Sequence, residues 1–335
     1  MTNAPVSVAA VLGAARRRAT MALPLGTDVL RLVDDAADGC PGVVVDRFGP
    51  VLRLELRGAT LPQESNAMAT ALALELGANA VVARLRSAGG ASALVRLLGE
   101  VPPLHVVHEA GLRYAVRTAD DEAAGAGLFV DQREGRRLVR EAARGQVVLN
   151  LFAHAGAFGV AAAAGGAARV DHVDLSRRCA QWAALNLALN GVDPRQHRFL
   201  VDDALDVLER AARRGPAYGV IVLDPPTTAT RKAKGGRARR FRVEDDLPAL
   251  AAQALAALSP GGLLLVSTNH RGVSVGAVAE LVRGAALEQQ VTLASVDELP
   301  LPVDVPSARD PALRPMRGVT ARRAAAAAPA ASSRA

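Results

Sequence analysis

The segment Asp224-Pro225-Pro226-Thr227 closes the apolar run Val220–Leu223. Each proline fixes φ near about −65° and has no N–H, so an acid followed by two prolines at the end of a buried strand makes a stiff loop. Its carbonyls point in set directions, and they can accept hydrogen bonds from an exocyclic amine or a ring edge of a base. Asn269, just past the apolar run Leu263–Ser267, is a second polar group at a strand end. Asp224, Pro225, Pro226 and Asn269 are therefore the candidate catalytic set. Small residues in Asn150-Leu151-Phe152-Ala153-His154-Ala155-Gly156-Ala157-Phe158-Gly159 let main chain approach a ligand at the start of a helix. Asp174 follows those glycines at about the spacing of a carboxylate that holds a ribose hydroxyl pair. Asp203, after a third strand, could accept from an adenine amino group. Each of these acids could equally cap a helix, and so could Ser176.

A second kind of chemistry follows directly. Arg231, Lys232, Lys234, Arg237, Arg239, Arg240 and Arg242 make seven of the twelve residues 231–242 basic, with no acid among them. Charge this dense, next to the Pro-Pro loop, predicts a phosphate clamp for RNA. Phe241 is the candidate stacking surface for a base.

These groups need elements to hold them. From about Gln146 to Ala294, strand-length apolar runs alternate with helical stretches: Val147–Phe152, Val170–Val173, Phe199–Val201, Val220–Leu223, Leu263–Ser267 and Val291–Ala294. Such alternation predicts a doubly wound parallel α/β sheet, with ligands at the carboxyl ends of its strands. Upstream, short strands with Gly and Asp turns, a helix over Asn66–Leu76 and a hairpin around Ala110-Gly111 predict a small α+β domain. The expected divisions are a basic segment 1–24, the α+β domain 25–118 (a further place for RNA contact), an α/β domain 119–320 and a disordered tail 321–335.

Composition narrows the classes. The 335 residues are 50% apolar and 22% charged, so wholesale disorder is excluded. No apolar run approaches a membrane span, and Met1–Ala10 lacks the layout of a signal peptide. Two cysteines, Cys40 and Cys179, exclude a disulfide framework and a multi-cysteine metal site. His105, His108, His172 and His197 are scattered without metal spacing, His270 stands beside Asn269 at a strand end, and Trp182 reads as core. The reading is a cytoplasmic protein without metal or membrane. The net charge of +7, carried by 38 arginines and two lysines, favours an anionic partner, nucleic acid first. Nothing chooses between monomer and homodimer.

Taken together, the strings Gly127-Leu128-Phe129-Val130-Asp131-Gln132-Arg133-Glu134, Asn150-Leu151-Phe152…Gly156, Val173-Asp174-Leu175-Ser176, Asp224-Pro225-Pro226-Thr227 and Ser267-Thr268-Asn269-His270-Arg271-Gly272 resemble class I S-adenosylmethionine-dependent methyltransferases. The closest resemblance is to bacterial 23S rRNA methyltransferases of the RlmI and RlmK type, over about 105–300, with residues 29–49 resembling their small domain. That resemblance implies a Rossmann-like, seven-stranded methyltransferase sheet and S-adenosylmethionine as cofactor. It implies that Phe129, Asp131 and Arg133 lie beside the methionine end of the cofactor. Asn150, Phe152 and Gly156 would cradle it, Asp174 with Ser176 would hold the ribose, and Asp203 would meet the adenine. Asp224 would then face the methyl group and the target base, with 23S rRNA or a ribosomal particle as partner. Residues 1–24 are too few for the family's RNA-binding PUA domain.

Departures from the family pattern sharpen the chemistry. Thr227, Thr228 and Ala229 stand where many relatives carry an aromatic, and His154 and Ala155 alter the cofactor loop. No cysteine stands at a strand end, whereas carbon-5 methylation of cytosine needs a thiolate to attack the ring. A nitrogen acceptor, a guanine nitrogen first, is the expectation. Two other classes stay open. An NAD(P)-linked oxidoreductase would want a third glycine in the first turn. A non-catalytic RNA-binding or ribosome-assembly protein would bind cofactor without transferring methyl.

Overall fold

The computed structural model describes residues 6–57, 65–86, 92–120, 124–232, 238–305 and 314–326. The chain first builds a five-stranded sheet from β1 (Val29–Asp34), β2 (Val43–Phe48), β3 (Val51–Arg57), β4 (Ala80–Arg86) and β5 (Ser92–Leu98), side by side in that order. Only β3 and β4 run parallel, joined through α2 (Ser65–Leu76). Strand β3 shows why the sheet has two faces. Leu52, Leu54 and Leu56 alternate with Arg53, Glu55 and Arg57, and successive side chains of a strand point to opposite sides. The leucines join Leu32, Val81 and Ala83 against α1 (Val8–Ala19) and α2. Each fully buried leucine contributes about 1.5–3 kcal/mol. The Ala- and Arg-rich segment 1–24, whose composition suits a short basic helix, carries one, and its Val11, Ala14 and Ala15 are core residues.

The hairpin β6 (His105–Glu109) and β7 (Leu112–Val116) leads into the second domain. Its Tyr114 and Val116 pack with Val160 and Leu187 of that domain.

A seven-stranded sheet follows, in the order β10-β9-β8-β11-β14-β16-β15. Its strands are β8 (Val147–Leu151), β9 (Arg169–Asp174), β10 (Arg198–Val201), β11 (Tyr218–Leu223), β14 (Leu258–Thr268), β15 (Leu293–Glu298) and β16 (Arg317–Arg323). The five from β10 to β14 in that order are mutually parallel. Helices α6 (Ala204–Arg214), α7 (Val243–Ala257) and α8 (Val275–Glu288) pack on one face through Leu208, Leu250 and Val282. Helices α3 (Arg133–Ala142) and α4 (Ala157–Ala164) cover the other through Val139 and Ala162. The doubly wound, Rossmann-like architecture is as expected.

Two corrections concern the seventh strand and the tail. Strand β16 is antiparallel to both neighbours, so the sheet is mixed. It also continues through Ala321 to Arg323, three residues into the expected tail. Ala321 is fully buried and paired with Leu264 and Val296, which gives that residue a place in the core. A second hairpin, β12 (Thr228–Lys232) with β13 (Ala238–Arg242), follows the Pro-Pro loop.

Candidate active site

Parallel register brings the strand ends together. Leu151 pairs with Val173 and with Leu223, Leu223 with Val266, and Val201 with Asp174. The residues just beyond line one cavity of about 960 Å³, closed on its other side by the small domain. A cavity of this size holds a drug-sized or cofactor-sized molecule.

The first strand end makes a loop of unusual backbone. Phe152 (φ 54°), His154 (φ 48°) and Gly156 (φ 78°) are all left-handed. The two non-glycine positions are strained and persist because their surroundings dictate them. Asp174 Oδ2 accepts from the His154 N–H at 2.9 Å, and Asp174 Oδ1 from the Ser176 N–H at 2.9 Å. This carboxylate therefore fixes the loop while keeping lone pairs for hydroxyl donors. Burial lowers the His154 pKa, which keeps the ring neutral between Phe129 and Trp182, with centroids at 5.9 and 5.4 Å. Asp203 caps α6, accepting from the Leu205 N–H at 2.9 Å, and also lines the cavity.

The fourth strand end carries the most concentrated chemistry. Leu223 ends the ladder, and the prolines after it have no N–H to continue it. Asp224 Oδ1 accepts from Ser267 Oγ at 2.7 Å and from Gln132 Nε2 at 3.1 Å. Burial pushes the Asp224 carboxyl up to about 6, against the opposing pull of the Ser267 hydrogen bond. Gln132 also donates to Ser267 Oγ at 3.0 Å, closing a three-residue cluster. Beside it, Thr227 Oγ1 donates to Asn269 Oδ1 at 2.6 Å, tying the Pro-Pro loop to the end of β14.

Of the expected site residues, Phe129, Asp131, Phe152, Asp174, Asp203, Asp224, Pro225, Pro226 and Asn269 line this cavity. Arg133, Asn150, Gly156 and Ser176 do not. Arg133 is held in a buried network instead. It pairs with Glu109 at 3.2 Å and with Asp304, and donates to the Val29 carbonyl at 2.5 Å. Asn150 is buried inside β8. Gly156 leaves room for α5 (Arg177–Leu189), because a Cβ there would meet Ala183 Cβ at 2.6 Å. Ser176 caps α5, accepting from the Cys179 N–H at 3.3 Å. Phe241 is no free stacking surface: it is 2% exposed and packs on Phe152 at 5.7 Å. Lys234 and Arg237 lie outside the described residues, as do the side chains of Arg231, Lys232, Arg239 and Arg240; Arg242 is exposed. Gln132 and Ser267 escaped the sequence reading. Both stand inside strings quoted for the resemblance, but only the fold brings them to Asp224.

Comparison with known proteins decides the family. Residues 30–316 match the family described as S-adenosylmethionine-dependent methyltransferase. The chain belongs to this family. Ribosomal RNA large subunit methyltransferase K/L of Methylococcus capsulatus is 41% identical over 58% of this chain, which spans 26% of that relative. Ribosomal RNA large subunit methyltransferase I of Shewanella denitrificans is 30% identical over 80% of this chain and 68% of its own length. A protein crystallised with SAH superposes with a TM-score of 0.81 at 25% identity, covering 96% of this chain and 83% of that one. The cavity fits the family's cofactor: it has the volume, a carboxylate with spare lone pairs at Asp174 and another at Asp203. Among the described residues no group of His, Cys, Asp or Glu is arranged to hold a metal ion, and no helix is long and apolar enough to cross a membrane.

Proposed function

We propose that the chain methylates large-subunit ribosomal RNA, on a nitrogen atom, with a guanine nitrogen as the favoured acceptor. The observation that carries this reading is the Asp224 cluster at the mouth of β11, combined with the state of the two thiols. S-adenosylmethionine supplies an already activated methyl, so the protein's task is alignment. In this reading Asp174 and Asp203 hold the nucleoside part, and Phe129 and Phe152, which line the same cavity, wall it. The stiff Pro225-Pro226 carbonyls orient the edge of a base. Where the acceptor bears a hydrogen, as the exocyclic amine or N1 of guanine does, Asp224, its Oδ1 fixed by Ser267 and Gln132, accepts the proton released as the N–CH3 bond forms and the S–CH3 bond breaks. Cys40 is fully buried under the small domain's helices. Burial pushes the Cys179 thiol up to about 11. Neither is a thiolate at neutral pH, which a carbon-directed mechanism would require. The names of the ribosomal RNA relatives support the substrate class. The β12–β13 hairpin leaves the Pro-Pro loop directly, and its arginines are the proposed grip on flanking phosphates.

Radiolabelled S-adenosylmethionine incubated with a 23S rRNA transcript and with ribosomal particles, followed by nucleoside mass spectrometry, tests this. A methylguanosine is the expected product. A 5-methylcytidine would overturn the acceptor, and cofactor binding without RNA labelling would point to a non-catalytic protein.

A further inference from the structure

The small domain presents the polar face of its sheet to the cavity. Arg31, Asp46, Arg53, Glu55, Arg57, Arg84 and Arg86 all line it. Nearly every charge there is answered. Arg31 pairs with Asp34 and Asp46, both at 2.8 Å. Arg57 pairs with Asp35 and Glu55, both at 2.9 Å, and Arg86 with Glu55 at 3.1 Å. Arg84 donates to Ser92 Oγ at 3.3 Å and to the Asp120 carbonyl at 3.2 Å.

Arg53 is the exception. It stands in the central strand β3, half-buried, and has no hydrogen-bond or ion-pair partner among the described residues. The residue paired with it on β2 is Asp46, whose two oxygens are taken by Arg31 at 2.8 and 3.3 Å. Burial and the neighbouring Arg84 guanidinium push the Arg53 pKa down to about 10. Asp46 and Glu55 act on this cation only from beyond ion-pair distance; a desolvated guanidinium with no hydrogen-bonded partner of its own is costly in a fold, and this one opens onto the cavity that holds Asp224.

We propose that Arg53 is the seat of an oxyanion, a phosphodiester of the substrate strand, bound on the wall that faces the methyltransferase sheet. The planar guanidinium fork matches two phosphate oxygens, and Arg84 adds positive charge beside it. The site would hold the strand on the small-domain wall, fixing the backbone of the nucleotide presented to Asp224. This inference rests on the RNA-methyltransferase reading above.

The test compares wild type, Arg53→Gln and Arg53→Lys, using a 23S rRNA transcript as acceptor and a single-stranded RNA oligonucleotide as binding probe. Arg53→Gln is expected to raise KM for the transcript about ten-fold or more, the worth of a charge-assisted hydrogen bond, with kcat within about two-fold. The log–log salt slope of oligonucleotide binding should flatten by about 0.7, one single-strand phosphate contact. Arg53→Lys should keep that slope. S-adenosylmethionine affinity by calorimetry should not move, and the melting temperature should hold or rise because an unanswered cation is removed. An unchanged KM and slope would overturn the assignment. A loss of cofactor affinity with an intact slope would overturn it too, placing the cofactor's carboxylate at Arg53. A lowered melting temperature with unaltered RNA binding would show a structural cation. If wild type methylates no RNA, the underlying reading falls as well; an active wild type beside an unaffected Arg53→Gln removes the Arg53 site alone.

Discussion

Asp224→Asn separates what this carboxylate does for catalysis from what it does to the fold. The side chain titrates at about 6 in the folded protein, against 3.8 for an ordinary aspartate. The folded state therefore holds the proton more tightly than the unfolded chain. That contribution is complete below about pH 4 and is lost as pH rises through about 6. At ~1.36 kcal/mol per pH unit, an ionised Asp224 destabilises the fold by about 3 kcal/mol at pH 8. Asparagine is neutral and of the same shape, and its Oδ1 accepts the same bonds from Ser267 and Gln132. In urea denaturation, Asp224→Asn is expected to be roughly 1–3 kcal/mol more stable than wild type at pH 8. That advantage should shrink by about 1.4 kcal/mol at pH 5, where wild type is largely protonated. Methyl transfer should fall by roughly 10²–10⁴, the usual loss with a proton acceptor. The wild-type rate should climb through about pH 6, a step the variant lacks. A variant no more stable than wild type at pH 8, a gap that does not narrow at pH 5, or activity within ten-fold of wild type would each refute the reasoning.

Asp174→Ala should weaken S-adenosylmethionine binding ten-fold or more by calorimetry, since a hydrogen bond to a charged group is worth roughly 1.5–3 kcal/mol; unchanged affinity would remove Asp174 from the cofactor pocket. Cys40→Ser with Cys179→Ser should leave methyl transfer intact, and its loss in a folded protein would restore a thiolate mechanism. Neutralising Arg237, Arg239, Arg240 and Arg242 together should weaken RNA binding and flatten its salt slope by up to about 0.7 per lost contact, with cofactor affinity unaltered; a full slope would reduce the hairpin to a solvated one. Asp304→Ala should cost about 3–5 kcal/mol in denaturation because it leaves the buried Arg133 and Arg136 sharing a single carboxylate, Glu109, and a near-neutral result would mean that water replaces the pair.

The sequence was most legible where a period and a chemical group coincide. Apolar runs announced β8, β9, β10, β11 and the core of β14, and the acids at the ends of β9, β10 and β11 gave Asp174, Asp203 and Asp224. What it hid depends on distant partners. Arg133 stands in a string that suggested a ligand contact, yet its acids are 24 and 171 residues away, at Glu109 and Asp304. Strand β16 reads Arg-Gly-Val-Thr-Ala-Arg-Arg, which merges by composition into the Ala- and Arg-rich tail. Only the gap between β14 and β15 makes it a strand. Phe241 follows six basic residues and so looked exposed, whereas β13 turns it down onto Phe152. Gln132 and Arg53 carry no local signal at all: one is defined by reaching Asp224, the other by an aspartate that is already taken.

The two walls of the cavity differ in the charged groups they leave to a ligand. The strand ends of the methyltransferase sheet bring Asp174, Asp202, Asp203 and Asp224, whereas the small domain brings five arginines whose charge Asp34, Asp35, Asp46 and Glu55 largely offset, leaving Arg53 without an ion pair among the described residues. Carboxylates suit a sulfonium and the hydroxyls of a nucleoside, and guanidinium groups suit phosphates. Such a division holds only if the walls keep their spacing. The junction supplies that constraint. Arg133 bonds the Val29 carbonyl of β1 and the carboxylates of Glu109 and Asp304, and Arg136 adds 2.6 and 2.7 Å bonds to Glu109. Asp304 in turn accepts from the Arg31 N–H at 2.9 Å. A buried network of this kind is weak evidence for stability but holds its members in one arrangement, because removing any one strands a charge. Arg133 thus serves the site at a distance: it fixes the sheet that carries Arg53 against the helix that begins beside Gln132, the residue that holds Asp224.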